Sequence, residues 1–144
     1  HSDLSLVHPP PWNEPWAINI IWVLNDMREE NGATRYLPYS HKISQPSGLP
    51  KEISKEMCHI EAEAGSIIAM DGRLWHTSGA NITQNEERIL LFGYYTRSFI
   101  RPQWNFTAGL SDETKSSLPD RLKYKLGLEL ASNTYADYSN HTEK

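Results

Sequence analysis

The chain has 144 residues, of which 38% are hydrophobic and 22% are charged, and its formal net charge is −4. This length allows one domain at most, or part of one. The acidic balance argues against nucleic acids and anionic membranes as partners, because a negatively charged chain is repelled by both.

The cysteine content and the apolar runs indicate the cellular compartment. The chain has one cysteine, Cys58, so it has no internal disulfide framework, which is typical of a reducing compartment. The longest apolar run, Ile18 to Leu24, is interrupted by Asn19 and is far shorter than the ~20 residues that span a bilayer. We therefore expect a soluble cytoplasmic protein.

The sequence opens at His1 with no methionine, so we also expect an upstream segment to be missing.

The first predicted strands lie between residues 17 and 39. Ala17 to Leu24 is apolar, β-branched and aromatic, which predicts a strand buried on at least one side. The two-residue period places Ile18, Ile20, Trp22 and Leu24 on one face. Asn31-Gly32 is a turn signal, and Thr34 to Tyr39 is predicted as a short strand.

Further strands are predicted up to residue 99. Lys51 to Met57 indicates a loop or a short helix. His59 to Ala62 and Ser66 to Met70 read as strands separated at Gly65. An Asp71-Gly72 turn then leads into Leu74-Trp75-His76. Arg88 to Phe99 is the longest β-like run.

Helices follow the predicted sheet. Ser111 begins a helix, and Pro119 divides it from a second helix over Asp120 to Leu128. The sequence therefore predicts a mostly β sandwich or barrel over residues 1–105, a helical extension over 106–130 and a loose tail over 131–144.

Two histidines and one aspartate form a candidate metal site. His1 and Asp3 are two residues apart in an extended segment, so their side chains point to the same side. His76, on a later strand, can complete a set of two imidazoles and one carboxylate. Such a triad on one face of Fe(II) leaves positions open for oxygen and a chelating cosubstrate.

Arg88 is a candidate anion-binding residue. It opens an apolar strand, where an unpaired guanidinium is costly to bury. One partner is the far carboxylate of a dicarboxylic acid whose 2-oxo acid end chelates the metal near His76. The alternative is a structural ion pair with Glu61, Glu63 or Asp71.

The segment from Trp75 to Asn81, which reads Trp-His-Thr-Ser-Gly-Ala-Asn, is followed twelve residues after His76 by Arg88. This pattern resembles the distal-histidine motif of the phytanoyl-CoA dioxygenase family, in which His-x-Ser-Gly-x-Asn precedes the arginine that grips 2-oxoglutarate. Other segments agree in order, and the resemblance spans residues 1 to about 105. They are His1-Ser2-Asp3, the strand ending in Trp22, the Asn31-Gly32 turn, Leu37-Pro38-Tyr39-Ser40-His41 and Ala64-Gly65-Ser66.

The resemblance implies a fold, an activity and a set of site residues. The fold is a double-stranded β-helix, that is, a jelly roll of the cupin type. The iron ligands are His1, Asp3 and His76, which are also the catalytic centre, and the residues that contact 2-oxoglutarate are Arg88, Ser78 and Trp22.

The implied activity is that of an Fe(II)/2-oxoglutarate-dependent dioxygenase. It uses O2, is supported by ascorbate, and hydroxylates a small organic substrate while 2-oxoglutarate is decarboxylated to succinate. Asp3 favours oxidation over halogenation, since related halogenases have Ala or Gly at that position.

Two departures from the family pattern bear on the chain. The family commonly has glycine where Tyr39 stands, and its members have helices and at least one core strand ahead of His-x-Asp. We therefore expect a C-terminal half with an unpaired sheet edge that favours a homo-oligomer, and a turnover below that of a version extended upstream.

Two alternatives stay open. The first is a catalytically incomplete jelly-roll fragment that acts as a binding or self-association module. The second keeps the jelly roll but uses another divalent metal without 2-oxoglutarate.

Overall fold

Six short strands form two three-stranded antiparallel sheets in the computed structural model of the chain, which describes residues 1–7 and 10–129. The first sheet has the strand order β4-β1-β6 and the second has the order β3-β2-β5. The strands are β1 (Ala17–Val23), β2 (Arg35–Tyr36), β3 (Cys58–His59), β4 (Ile67–Asp71), β5 (His76–Thr77) and β6 (Leu90–Thr96). The α-helices are α1 (Ile53–Glu56), α2 (Phe106–Gly109), α3 (Asp112–Ser117) and α4 (Asp120–Lys125), and 3₁₀ helices cover Asp3–Leu6, Ser40–Lys42 and Pro46–Gly48. The chain is thus mostly β, with few helices.

Strand β1 is the centre of the first sheet and has two different faces. Ala17, Asn19, Ile21 and Val23 are buried, whereas Ile18 on the opposite face is 41% exposed. The sequence grouped Ile18 with Trp22 correctly, but it did not show which face is buried. Because both faces of β1 are largely apolar, periodicity alone could not separate them, and the packing of the N-terminal segment and the second sheet decides.

The second sheet is shorter than the sequence predicts. The strand expected over Thr34 to Tyr39 ends at Tyr36, and Tyr39 adopts a left-handed conformation with φ 61°. The strand expected over His59 to Ala62 is reduced to β3, and Ala62 pairs with Met27 as an isolated bridge.

Two clusters of buried side chains stabilise the sheets. Leu4, Trp12 and Ala17 pack with the partly buried Trp75 and Tyr94. Val23, Met27 and Ala33 form the second cluster, against Ile60, Ile68 and Leu90. Since Leu4 directly follows Asp3, the first cluster anchors the N-terminal segment against β1.

The chain divides into two compact units, His1–Thr96 and Arg97–Lys144. Residues 97–105, which the sequence analysis grouped with the sheets, belong to the second unit. Within it, Ser111 caps α3 by accepting a hydrogen bond from the Thr114 amide at 3.1 Å. Pro119 precedes α4, which ends at Lys125 instead of Leu128. The predicted tail over residues 131–144 lies outside the described residues. Within the described ranges, no helix is long and apolar enough to cross a membrane.

Candidate metal centre

The first residue is tied to strand β5 by backbone hydrogen bonds. The His76 amide donates to the His1 carbonyl at 2.8 Å, and the His1 amino group donates to the His76 carbonyl at 3.0 Å. This reciprocal pair places the two imidazole rings 4.4 Å apart, centre to centre. Residues 75 positions apart in sequence thus become neighbours through an extension of the second sheet.

Asp3 joins the two histidines from the start of a 3₁₀ turn. The next residue, Leu4, donates its amide to the Gly72 carbonyl at 3.0 Å. Asp3 Oδ1 lies 3.5 Å from His1 Nε2 and 3.9 Å from His76 Nε2. One ligand atom from each of these three residues lies within 4.8 Å of the others. The structure therefore brings together His1, Asp3 and His76, whose role as iron ligands stays a prediction.

Neighbouring groups make hydrogen bonds to the side chains of the triad. His76 Nδ1 lies 2.9 Å from the Leu74 carbonyl, which accepts a hydrogen bond from it and leaves the Nε2 lone pair free on the side of Asp3. Burial raises the pKa of Asp3 above its usual value, although a charge on His76 and a hydrogen bond from Asn19 lower it. A cation next to Oδ1 would favour the ionised form of this carboxylate.

The donor set fits a ferrous ion. Two imidazole nitrogens and one carboxylate oxygen are the ligands of the facial triad. Ligand atoms that each bind at about 2.1 Å at right angles lie about 3 Å apart, which the observed 3.5 and 3.9 Å separations approach. His1 is exposed, with a side chain 63% accessible, so the centre is open on one side. That opening provides access for further ligands.

Arg88 lies on the same side of the second sheet as His76. Its Nη1 donates to Thr34 Oγ1 at 3.0 Å. Tyr36, two residues after Thr34, pairs directly with His76, so Thr34, Tyr36 and His76 share a face. Continuing this register puts Thr34 opposite Ser78, which is exposed. The ion pair considered as an alternative for Arg88 is not formed in the described part of the chain, where Asp71 pairs with Arg73.

The spacing between His76 and Arg88 depends on two residues in the segment that joins them. Gly79 lies so close to the second sheet that a Cβ there would sit 2.5 Å from the Ala33 carbonyl oxygen. Asn81 closes the following loop, since its amide donates to the Glu86 carbonyl at 2.8 Å and its side-chain oxygen accepts from the Thr83 amide at 2.9 Å. Together they return the chain towards β6 at Arg88.

The structure does not place Trp22 with this group. Trp22 is on the outer face of β1, opposite to Asn19, and its ring atoms lie 3.1 to 3.3 Å from where a Cβ on Gly93 would be. The predicted contact with 2-oxoglutarate is therefore not supported, because strand alternation turns this indole away from Asp3. Ile21 is the neighbour that points to the inner face.

Sequence reasoning missed two polar residues at the site. Asn19, which is 7% exposed, donates its side-chain amide to Asp3 Oδ2. Thr34, which is 6% exposed, holds the Arg88 guanidinium. A polar residue inside the apolar run of β1 was the visible signal for Asn19, whereas the role of Thr34 depends on a contact that spans 54 positions.

A cavity of about 490 Å³ opens beside the edge strand β4. Two of its lining residues contact His76: Tyr36 pairs with His76 across the second sheet, and the Leu74 carbonyl accepts a hydrogen bond from the His76 ring. Its lining includes Tyr36, His41, His59, Met70, Asp71 and Leu74. The volume is in the range of small-molecule sites.

Two fungal proteins are similar to the chain in sequence. The dioxygenase af480 of Aspergillus fumigatus is 45% identical over 128 residues, which cover 89% of the chain and 41% of that protein. The dioxygenase peniF of Penicillium patulum is 30% identical over 104 residues, or 72% of the chain and 33% of that protein. The chain thus spans about two fifths or less of the length of these curated relatives.

Solved structures show a similar fold. The non-heme alpha ketoglutarate dependent epimerase SnoN from nogalamycin biosynthesis has a TM-score of 0.50 at 24% identity, covering 58% of the chain and 35% of that protein. EctD from S. alaskensis, solved with bound Fe, has a TM-score of 0.50 at 24% identity over 68% of the chain and 38% of that protein. AviO1 from Streptomyces viridochromogenes has a TM-score of 0.53 at 22% identity over 71% of the chain and 44% of that protein.

The sequence profile of one family covers most of the unit that holds the triad. It matches residues 1–89, which include His1, Asp3, His76 and Arg88. The chain belongs to the phytanoyl-CoA dioxygenase (PhyH) family.

Proposed function

We propose that the chain carries the iron- and 2-oxoglutarate-binding part of an Fe(II)/2-oxoglutarate-dependent dioxygenase. The observation that carries this proposal is the convergence of His1, Asp3 and His76 within 4.8 Å. The strand orders β4-β1-β6 and β3-β2-β5 support a double-stranded β-helix as the core, since the chain passes repeatedly from one sheet to the other.

His1, Asp3 and His76 would hold the iron. An iron ion held there would supply the chemistry for oxidation of the substrate by O2, coupled to decarboxylation of 2-oxoglutarate to succinate. The protein groups act by position: the Leu74 carbonyl fixes the tautomer of His76, and Asn19 engages the Asp3 oxygen that faces away from the histidines.

Arg88 would bind the far carboxylate of 2-oxoglutarate. Its planar guanidinium suits a bidentate contact with a carboxylate. The hydrogen bond to Thr34 supports this role, because it orients the guanidinium on the face of the second sheet that carries His76. Ser78, on the same face, would add a hydroxyl donor.

We further propose that the reaction is hydroxylation of a small organic molecule. The carboxylate of Asp3 would occupy the ligand position that the related halogenases leave open for halide. The cavity of about 490 Å³ next to Tyr36 and Leu74 supports a small-molecule substrate. A cytoplasmic location, and the lack of a nucleic acid or membrane partner, stay expectations from composition.

Metal-dependent binding of 2-oxoglutarate tests the proposal. Fe(II) should bind the chain with a stoichiometry near one under anaerobic titration, and 2-oxoglutarate should bind only to the loaded protein. Addition of O2 and ascorbate should then yield succinate. His76→Ala should abolish metal binding, whereas Asp26→Ala, which removes a carboxylate outside the triad, should not. Metal binding that survives His76→Ala with unchanged affinity would exclude this centre.

A further inference from the structure

Asn19 is a polar residue at the centre of an apolar sheet. It lies in the middle of β1, between Met70 of β4 and Tyr94 of β6, and it is 7% exposed. Burying an amide without hydrogen bonds is unfavourable, because the amide loses its hydrogen bonds to water on transfer to an apolar environment. Its place in the strand therefore calls for a specific partner.

That partner is the carboxylate of Asp3. The Asn19 side-chain amide donates to Oδ2, whereas Oδ1 is the oxygen that lies 3.5 Å from His1 Nε2 and 3.9 Å from His76 Nε2. The two oxygens of the buried Asp3 carboxylate thus make different contacts. One faces the histidines and the other is held by the sheet.

We propose that Asn19 is a positioning residue that holds Asp3 with one oxygen directed at the metal centre. The proposal rests on the proposed function, since it assumes that the triad binds a metal. Asn19 acts only through Asp3. As a neutral donor it occupies Oδ2 without adding charge, so it favours a carboxylate that offers a single oxygen to the ion.

The rigidity of the two elements differs, which explains why the contact matters. Asp3 begins a 3₁₀ turn, whose backbone hydrogen bonds have poorer geometry than those of a regular strand or α-helix. Asn19 sits in a strand with hydrogen-bonded neighbours on both sides. The contact therefore transfers the order of the sheet to the ligand, and its loss would leave Oδ2 buried without a donor.

Asn19→Leu tests the role, because leucine keeps the branching of the side chain at Cγ and removes the donor. Co(II) serves as the probe, since it occupies such sites and its visible absorption reports the ligand arrangement. We expect the affinity for Co(II) to fall by roughly 10- to 100-fold and the visible spectrum to change. Circular dichroism at the titration temperature must show that the variant is folded.

Asn31→Leu is the matched control. Asn31 is also a buried asparagine, 2% exposed, and it bonds to the Asp26 carbonyl and the Arg28 amide without touching the triad. We expect this variant to unfold at a lower temperature but to bind Co(II) with unchanged affinity and spectrum when folded. A merely structural role for Asn19 would make the two variants behave alike.

The possible outcomes distinguish failure of the proposed metal centre from failure of the positioning role of Asn19. If the wild-type chain does not bind Co(II), or if His76→Ala binds it equally well, the proposed metal centre is wrong. If the wild type binds, His76→Ala does not, and Asn19→Leu binds within twofold of the wild type with the same spectrum, the positioning role is overturned. Should Asn19→Leu fail to fold, Asn19→Thr suits a strand and ends one bond short of Asp3, and it should show the same loss.

Discussion

At the scale of single residues, Arg88 is the group that we propose to bind the cosubstrate carboxylate. Its contact with Thr34 directs it to the His76 face of the second sheet, and within the described residues no carboxylate competes with this contact at ion-pair distance. The geometry of its planar fork, and not only its charge, is what a carboxylate ligand would use.

Arg88→Lys should therefore weaken the binding of 2-oxoglutarate to the metal-loaded chain by roughly tenfold or more, because hydrogen bonds to charged groups contribute about 1.5–3 kcal/mol. Isothermal titration with 2-oxoglutarate measures the change. Arg121→Lys in α4, in the second unit, is the control and should leave the affinity as it was. Equal affinity in both variants would remove Arg88 from the binding site.

Tyr39 is a second residue of interest, because its backbone conformation is unfavourable for a residue with a side chain. Its φ of 61° lies in the left-handed region, which disfavours residues with a Cβ. It immediately precedes Ser40, whose buried hydroxyl accepts a hydrogen bond from the Trp75 amide at 2.8 Å. The glycine that the family commonly has at this position is thus explained by backbone conformation.

Comparison of Tyr39→Gly with Tyr39→Ala isolates this conformational cost. Both variants lose the exposed phenol ring, so the difference between them reports the backbone. We expect the glycine variant to be more stable than the alanine variant by about 1 kcal/mol, the reverse of the usual order. Urea unfolding measures the free energies, and a more stable alanine variant would contradict the assigned backbone conformation.

At the scale of elements, the segment after β5 is defined by its close approach to Ala33. Gly79→Ala would place a methyl group 2.5 Å from the Ala33 carbonyl oxygen, so one backbone must move. We expect a loss of about 1–3 kcal/mol of stability, together with weaker 2-oxoglutarate binding as Ser78 and Arg88 shift.

Gly109→Ala is the control for that substitution. Gly109 lies in helix α2, and nothing is within 4 Å of a Cβ there. This variant should be neutral or slightly more stable. Thermal unfolding of the two variants and the wild type makes the comparison, and equal stability of both variants would show that the close approach is absent.

The stability of the turn between β4 and β5 depends on the ionisation of Asp71. Burial raises the pKa of Asp71, but its hydrogen bonds and ion pair with Arg73 outweigh that effect and bring the pKa below its usual value. Arg73 also donates to the Asn13 carbonyl at 2.6 Å, so the pair fastens the loop before β1 to this turn. A pKa that folding lowers means that the ionised form stabilises the fold.

The stability that ionised Asp71 contributes is fully present above the pKa of an aspartate in the unfolded chain, about 3.9. It is lost as the pH falls through the lower pKa that Asp71 has in the folded chain. Asp71→Asn should thus cost more stability at pH 6 than at pH 3 in urea unfolding. The same substitution made in an Arg73→Ala background should lose most of this pH dependence. A cost that does not vary with pH in the wild-type background would mean that the ion pair does not stabilise the turn.

At the scale of the whole molecule, the first sheet combines free edges with an apolar outer surface. Among the described residues, β4 and β6 each pair only with β1. Ile67 is 63% exposed and Leu91 is 56% exposed on the outer face that also carries Trp22. Exposed edges and apolar faces favour association with another chain.

The expectation of a homo-oligomer can be tested on this surface. Sedimentation velocity should show a mass that increases with protein concentration. Ile67→Lys, which places a charge on the edge strand, should shift the chain towards the monomer. Thr114→Lys, in α3 of the second unit, is the control. A monomer at all concentrations would contradict the expectation.

The sequence by itself determined the main local elements and the family of the chain. β-Branched and aromatic runs predicted β1, β4 and β6, Ser111 and Pro119 predicted the starts of two helices, and the His-x-Asp and His-x-Ser-Gly-x-Asn spacings identified the family. These features depend on neighbours in sequence, where side-chain period, backbone preference and motif spacing are directly visible. Only the tertiary structure decided which face of β1 is inside, and with it that Asn19 and not Trp22 faces Asp3. Both faces of that strand are apolar, so the choice depends on which surface the N-terminal turn and the second sheet cover, and that is set by contacts between distant parts of the chain.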